Sequence, residues 1–221
     1  MEGVHIEFGE LDLAAEALDE ARSVLSDDER KRADRFLREV DRTRFAAARS
    51  LLRRTLAGVL ETRPERLTFT YGAHGKPALG PPFAARGVRF NLSHSAGRAL
   101  IAVARDREVG VDLERIRPVR FGAKIARRFF SEREQYALDG LTGSAWDEGF
   151  FRCWTRKEAF IKAVGDGLTF PLKSFSVPMT REAENEAVQI HEGSPTSRHW
   201  ILSALEACPG FLAAIVVERR G

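Results

Sequence analysis

Residues 108–116 read Glu-Val-Gly-Val-Asp-Leu-Glu-Arg-Ile. Val109, Val111 and Leu113 alternate with Gly110, Asp112 and Glu114, the period of a strand with one apolar face. The chain opens in the same way, with Val4, Ile6 and Phe8 alternating with other residues. Further correspondences follow in order. Ser26 with Glu29 has the form of a capping box, and Ser131 with Glu134 repeats it 105 positions later. Phe69 answers Phe175 at an offset of 106, and Gly97 before ALIAVA answers Gly210 before LAAIVV at 113. These offsets predict an α+β protein of two pseudo-symmetric lobes of similar topology (strand, helices, antiparallel strands), built by internal duplication. The lobes are expected over 1–105 and 106–221, packed as one functional unit with the cleft between them as the site.

Two long helices are expected. One runs from about Asp41 to Leu60, with Phe45, Ala48, Leu52, Leu56 and Val59 inward and Arg42, Arg49 and Arg53 on an outer face. The other runs from about Asp147 to Val164 with an apolar stripe of Phe151, Trp154 and Ile161. The loosest stretches are Gly80–Gly87 and Arg181–Ser197.

Composition narrows the class. In 221 residues, 43% hydrophobic and 30% charged, wholesale disorder is excluded. The longest apolar run, Phe211–Val217, is seven residues, far below the roughly 20 of a membrane helix. The start MEGVHIEFGELDL lacks a basic region followed by an apolar one, and Cys153 and Cys208 form no metal spacing or disulfide framework. A soluble, cytoplasmic, reduced protein is expected. A net charge of +3 is too small for a dedicated nucleic-acid binder. The basic residues are 29 Arg and 6 Lys, a guanidinium-rich set that suits phosphate and carboxylate contacts and that a general bias toward arginine codons would equally produce.

Chemistry concentrates in four segments. On the first strand, Asp112 and Glu114 share one face about 7 Å apart at Cα, which a cation would relieve and which a solvated face would also tolerate. In the helix FFRCWTRKEAFIKAVG, Glu158 falls within the apolar stripe, flanked by Lys157 and Lys162. A carboxylate there needs a partner or a metal, although Glu158 with Lys162 is also an ordinary i,i+4 pair. Three carboxylates without sulfur or imidazole company favour a hard ion, Mg²⁺ best, and the five histidines show no zinc spacing. The third segment, VRFNLSHSAGRALIAVA over 88–104, carries Asn91, Ser93, His94 and Ser95 to a turn at Ala96-Gly97, a phosphate cradle or a plain polar turn. The fourth, Gly75-Lys76-Pro77, presents Lys76 on a stiffened loop.

Together these segments resemble the Sfp-type 4′-phosphopantetheinyl transferases. The family pattern stands as Gly110-Val111-Asp112-Leu113-Glu114 and Trp154-Thr155-Arg156-Lys157-Glu158-Ala159-Phe160-Ile161-Lys162, with Asp112 and Glu158 separated by 46 positions. Gly75-Lys76-Pro77 and Phe90-Asn91-Leu92-Ser93-His94-Ser95 match two further signatures upstream, and the similarity runs from about Leu25 to Val177. The resemblance implies an enzyme that moves the phosphopantetheine arm of coenzyme A onto a serine of an apo carrier protein, releasing adenosine 3′,5′-bisphosphate. It implies Mg²⁺ held by Asp112, Glu114 and Glu158. The mechanism expected from this is a catalytic group of Glu158, Lys162 and Asp112 in which Glu158, directly or through water, takes the serine proton. Coenzyme A contacts are implied for Asn91, Ser93, His94, Lys76, Lys157 and Lys162, with Arg32 and Arg44 on the 3′-phosphate. Glu29 stands where the family leads one to expect a lysine.

An acyl or peptidyl carrier would meet a basic, partly apolar surface. Phe121–Phe130 offers Lys124, Arg127 and Arg128, unless its Ile125, Phe129 and Phe130 simply pack inward. A monomer binding neither nucleic acid nor membrane is expected. Two other readings remain: an Mg²⁺-dependent phosphohydrolase of a nucleotide-like substrate, and a non-enzymatic nucleotide or RNA binder using Arg-rich helices over 30–54. Asp34, Glu39 and Asp41 blunt the latter.

Overall fold

The computed structural model describes residues 3–219. Its first half runs β1 (Val4–Glu10), α1 (Ala15–Ser23), α2 (Asp27–Asp34), α3 (Glu39–Leu60), β2 (Phe69–Tyr71), β3 (Pro77–Leu79), β4 (Val88–Ser95) and β5 (Arg98–Arg105). The second half runs β6 (Val109–Arg115), α4 (Gly122–Phe129), α5 (Glu132–Asp139), α6 (Gly143–Val164), β7 (Phe175–Ser176), β8 (Glu186–Ala187), β9 (Gln189–Ile190), β10 (Trp200–Leu205) and β11 (Phe211–Glu218). The fold is α+β.

The halves repeat one topology. The first sheet has strand order β1-β5-β4, and the second, β6-β11-β10-β8, begins with the matching order. Each half contains one 22-residue helix, α3 and α6. Both capping boxes form, Ser26 with Glu29 and Ser131 with Glu134. The two-residue turn Ala96-Gly97 takes positive φ at both positions, which lets β4 and β5 pair in register from Val88–Arg105 to Ser95–Arg98.

The three largest clusters of buried side chains among the described residues hold these parts. Leu52, Leu56 and Leu60 of α3 pack on Phe90, Ile101 and Val103 in the first half. Phe150 and Phe160 of α6 pack with Phe175 and Trp200 in the second. A third core is shared, with Leu100 and Ala102 of β5 against Val109, Val111 and Leu113 of β6 and Ile215 of β11.

One expectation needs correction. Arg49 and Arg53 are not on an outer face of α3; both are buried and grip Glu29, with Arg49 Nε and Arg53 Nε at 2.8 and 2.6 Å from its two oxygens. Of the residues expected to face inward, Val59 is half-buried and packs on the first-half core, and Phe45 is half-buried against Phe36. The segment Arg181–Ser197, expected among the loosest, is mostly irregular and holds only the two-residue strands β8 and β9.

Candidate active site

The site begins with a close approach of helix to strand. A Cβ on Gly110 would lie 2.1 Å from the Ala159 carbonyl and 2.2 Å from the Ala163 nitrogen, so only glycine lets α6 cross β6 there. The crossing puts Glu158 and Lys162, one turn apart on α6, over the carboxylates of β6. Lys162 Nζ lies 2.5 Å from Asp112 Oδ1 and 3.1 Å from Ser93 Oγ. Ser93 Oγ donates to Asp112 Oδ1 at 2.7 Å.

Two groups here carry unrelieved cost. Asp112 Oδ2 is buried with no hydrogen-bond partner. Burial pushes the Glu158 carboxyl up to about 7; Lys162 pulls it down, while Asp112 and Glu114 push it further up. A divalent cation among these oxygens would relieve both, so the donor set fits a hard ion. Among the described residues no three acidic, histidine or cysteine side chains already form a metal cage. Water and substrate oxygens would therefore complete the shell, as Mg²⁺ commonly requires.

Around this centre the other expected residues divide. The His94 pKa is lowered, by desolvation first and then by Lys162 and Arg44, against Asp112. With Arg44, Phe45, Phe36 and the Ala96-Gly97 turn, His94 lines a cavity of about 270 Å³. Arg44 is engaged there, its Nε and Nη2 at 2.6 and 2.9 Å from the Asp12 carboxylate. Arg32 lies over the rings of Phe45 and Tyr71, 5.5 and 5.9 Å from their centroids. Glu29 is away from this cavity's lining, buried at the base of α2 with its two arginines.

Lys76 spans the halves. Its Nζ donates to Glu108 Oε2 and to the Ala163 carbonyl, each at 3.1 Å, which ties the β2–β3 loop to the end of α6. Burial lowers its pKa against the pull of Glu108. It lines a cavity of about 210 Å³ with His74, Asn91, Ile161 and Lys162. A larger cavity, about 590 Å³, lies beyond Lys76 along the seam, bordered by Arg89, Glu108 and Trp200 rather than by the carboxylates of the site.

Lys157 is the clear correction. It does not face the cleft: it is fully buried, 2.9 Å from Glu134 Oε2, and donates to the carbonyls of Leu172 and Phe175 at 2.8 and 3.0 Å. It cannot reach a pyrophosphate. Asn91 is likewise committed in part, its Oδ1 accepting from the Val111 amide at 2.9 Å. The serines of the supposed cradle also face inward to β6 rather than standing free. Glu108 shapes the site without having been singled out for it, Gly110 stands in the sequence only as a letter of the strand motif, and Ser95, expected to cradle phosphate, bonds Glu114 instead.

Comparison with known proteins agrees with this geometry. Residues 108–216 match the 4′-phosphopantetheinyl transferase superfamily, and 14–106 match the 4′-phosphopantetheinyl transferase N-terminal domain. The chain belongs to the 4′-phosphopantetheinyl transferases. HetI, a 4′-phosphopantetheinyl transferase of Nostoc sp. (strain PCC 7120), is 42% identical over 99% of this chain and 89% of its own length. The 4′-phosphopantetheinyl transferase Sfp of Bacillus subtilis (strain 168) is 29% identical over 92% of this chain and 86% of its own. The phosphohydrolase and nucleic-acid readings find no support in these matches. No helix of the described residues is long and apolar enough to cross a membrane.

Proposed function

We propose that this transferase acts as a holo-[acyl-carrier-protein] synthase, taking 4′-phosphopantetheine from coenzyme A with Mg²⁺ as its metal and serving an apo acyl or peptidyl carrier protein. The observation that carries this reading is the crossing of α6 over β6, which joins Asp112, Glu114, Glu158 and Lys162 beside a seam lined by Lys76 and His94. The carrier serine Oγ attacks the β-phosphorus of coenzyme A, and the bond from that phosphorus to the bridging oxygen breaks. Adenosine 3′,5′-bisphosphate leaves with the electron pair, and the serine proton passes to Glu158. Asp112, Glu114 and Glu158 would hold Mg²⁺, which when bound neutralises charge on the pyrophosphate and on the leaving oxygen. Lys162 adds fixed positive charge at the same place. Glu158 has two carboxylate oxygens, so ligating with one leaves the other for the proton.

The 3′-phosphate belongs in the cavity of His94 and Arg44, within reach of Arg32 along the Phe45 face. There it would compete with Asp12 for the Arg44 guanidinium. With Lys157 removed from the ligand set, the coenzyme contacts fall to Arg32, Arg44, Lys76, Ser93, His94 and Lys162, and Asn91 supports the strand beneath them.

The carrier fits α4. Lys124, Arg127 and Arg128 are exposed with Phe121, which is 61% exposed, while Ile125, Ala126, Phe129 and Phe130 turn inward. One amphipathic segment thus serves both the core and a docking surface for an acidic helix. The two lobes are taken as 1–105 and 106–221, the products of a duplication, acting as a cytoplasmic monomer because one chain supplies both walls of the cleft.

Intact-mass spectrometry of an apo carrier protein incubated with the enzyme, coenzyme A and Mg²⁺ tests the reading. A gain of one phosphopantetheine, lost on chelation with EDTA, is expected. No coenzyme A binding and no mass gain on any of several carriers would overturn it.

A further inference from the structure

β4 and β6 lie side by side but belong to different sheets. No ladder of backbone bonds joins them. Instead, alternate side chains of β4 reach across to the amides of β6. Asn91 Oδ1 accepts from Val111 N at 2.9 Å, Ser93 Oγ from Leu113 N at 3.2 Å, and Ser95 Oγ from Arg115 N at 3.2 Å. Every pair is 20 positions apart, so the register is strict.

The two serines do more than the asparagine. Ser93 Oγ donates its proton to Asp112 Oδ1 at 2.7 Å, and Ser95 Oγ donates to Glu114 Oε2 at 2.9 Å. A hydroxyl has one proton and two lone pairs. With a lone pair taken by the amide of the residue after the carboxylate, the proton is left to point at the carboxylate itself. Asn91 precedes them on the same face, where the corresponding residue of β6 is Gly110 and no carboxylate exists. Hydroxyls thus stand where β6 carries an acid, and an amide stands where it carries none.

We propose that Ser95 is a positioning residue for Glu114, as Ser93 is for Asp112, and that the two hydroxyls fix the oxygens that β6 offers to a divalent cation. Glu114 needs this more than Asp112 does. Asp112 is buried and pinned by Lys162, whereas Glu114 is half-exposed and its Oε2 is also approached by Arg117 Nη1 at 3.4 Å. Without Ser95 the carboxylate is free to follow Arg117 out of the site.

The proposal rests on the Mg²⁺-dependent reading, and its test separates the two. Mn²⁺ binding is followed by electron paramagnetic resonance with coenzyme A present and no carrier, for the wild type, Ser95→Ala, Ser95→Thr and Glu114→Gln. Ser95→Ala is expected to weaken Mn²⁺ about tenfold, the loss of one hydrogen bond to a charged group. Ser95→Thr, which keeps the hydroxyl, should restore it. Coenzyme A affinity in EDTA should stay near its wild-type value, because the Ser95 hydroxyl is spent on Glu114 and the Arg115 amide. The thermal midpoint of Ser95→Ala should fall slightly, for the Arg115 amide left without its β4 acceptor, and return in Ser95→Thr. Unchanged Mn²⁺ affinity in Ser95→Ala would overturn the proposal, as would an equal loss of coenzyme A affinity in EDTA. Wild type and Glu114→Gln binding Mn²⁺ equally would instead overturn the metal assignment, and the proposal with it.

Discussion

Glu158 and Lys157 are neighbours in sequence with opposite surroundings. On a helix they stand about 100° apart, so one looks toward Asp112 and the other into the second core. Glu158→Gln should lower turnover by about 100-fold or more with the far-ultraviolet circular dichroism unchanged, as expected for loss of a general base; near-normal turnover would remove it from that role. Lys157→Ala should instead cost stability, about 3–5 kcal/mol in urea unfolding, because Glu134 is left buried and charged without its ammonium. Its activity per folded molecule should survive. The motif was legible letter by letter, but which lysine faced the ligand was not: a motif gives spacing along the chain, and the core behind Lys157 is assembled from Glu134, Leu172 and Phe175 far away in sequence. The acidity of Glu158 carries a further expectation. An unfolded glutamate ionises near 4.5, whereas Glu158 keeps its proton to about 7. The folded state therefore binds more protons in that window, and stability falls as pH rises through it. A cation at the site offsets this only once the carboxylate is ionised. Mg²⁺ should raise the thermal midpoint more at pH 8 than at pH 5.5, and equal shifts would mean that Glu158 is no ligand.

Elements carry the next level of design. α6 could be read from its periodicity and ends as expected at Val164, with Gly165 taking the left-handed turn at φ 95°. Its seat on β6 was not readable, because the Gly110 contact joins residues about 50 positions apart. Gly110→Ala should unfold the protein or destabilise it by more than about 3 kcal/mol, since both atoms met by the new Cβ are backbone and cannot swing away. α2 and α3 show the same limit from the opposite side. Arg49 and Arg53 were placed outside because arginine is usually exposed, yet Glu29 lies 20 and 24 positions away and draws them in. Burial raises the Glu29 pKa, but Arg49 and Arg53 together outweigh it and hold the carboxyl below its usual value. This pair contributes stability above pH 4.5 that is lost as pH falls below it. Glu29→Gln should therefore destabilise strongly at pH 7, by about 3–5 kcal/mol, and by less at pH 3. A coenzyme A affinity unchanged in that variant would confirm that Glu29 acts in folding and not on the 3′-phosphate.

At the scale of the whole molecule, the repeat was legible because each half had to restate the same periodicities, caps and turns to build the same sheet. What periodicity could not show is how the halves join. The apolar faces of β5 and β6 do not each complete a core of their own. Leu100, Ala102 and Ala104 meet Val109, Val111 and Leu113 in one core, and the hydroxyls and amide of β4 substitute for a sheet ladder beside it. Separating the halves would expose that core to water on both sides and leave the β6 amides of Val111 and Leu113 without their β4 partners, so neither half has the burial to stand alone. Trp146, Trp154 and Trp200 all lie in the second half, so tryptophan fluorescence reports that half, whereas far-ultraviolet circular dichroism reports both. In urea the two signals should fall together at one midpoint, the mark of a single cooperative unit. Fragments 1–105 and 106–221 expressed apart should each lack a cooperative transition. A fluorescence midpoint displaced from the dichroism midpoint, or a fragment that unfolds cooperatively alone, would mean that the lobes are independent domains that merely touch, and that the cleft could open at the β4–β6 seam.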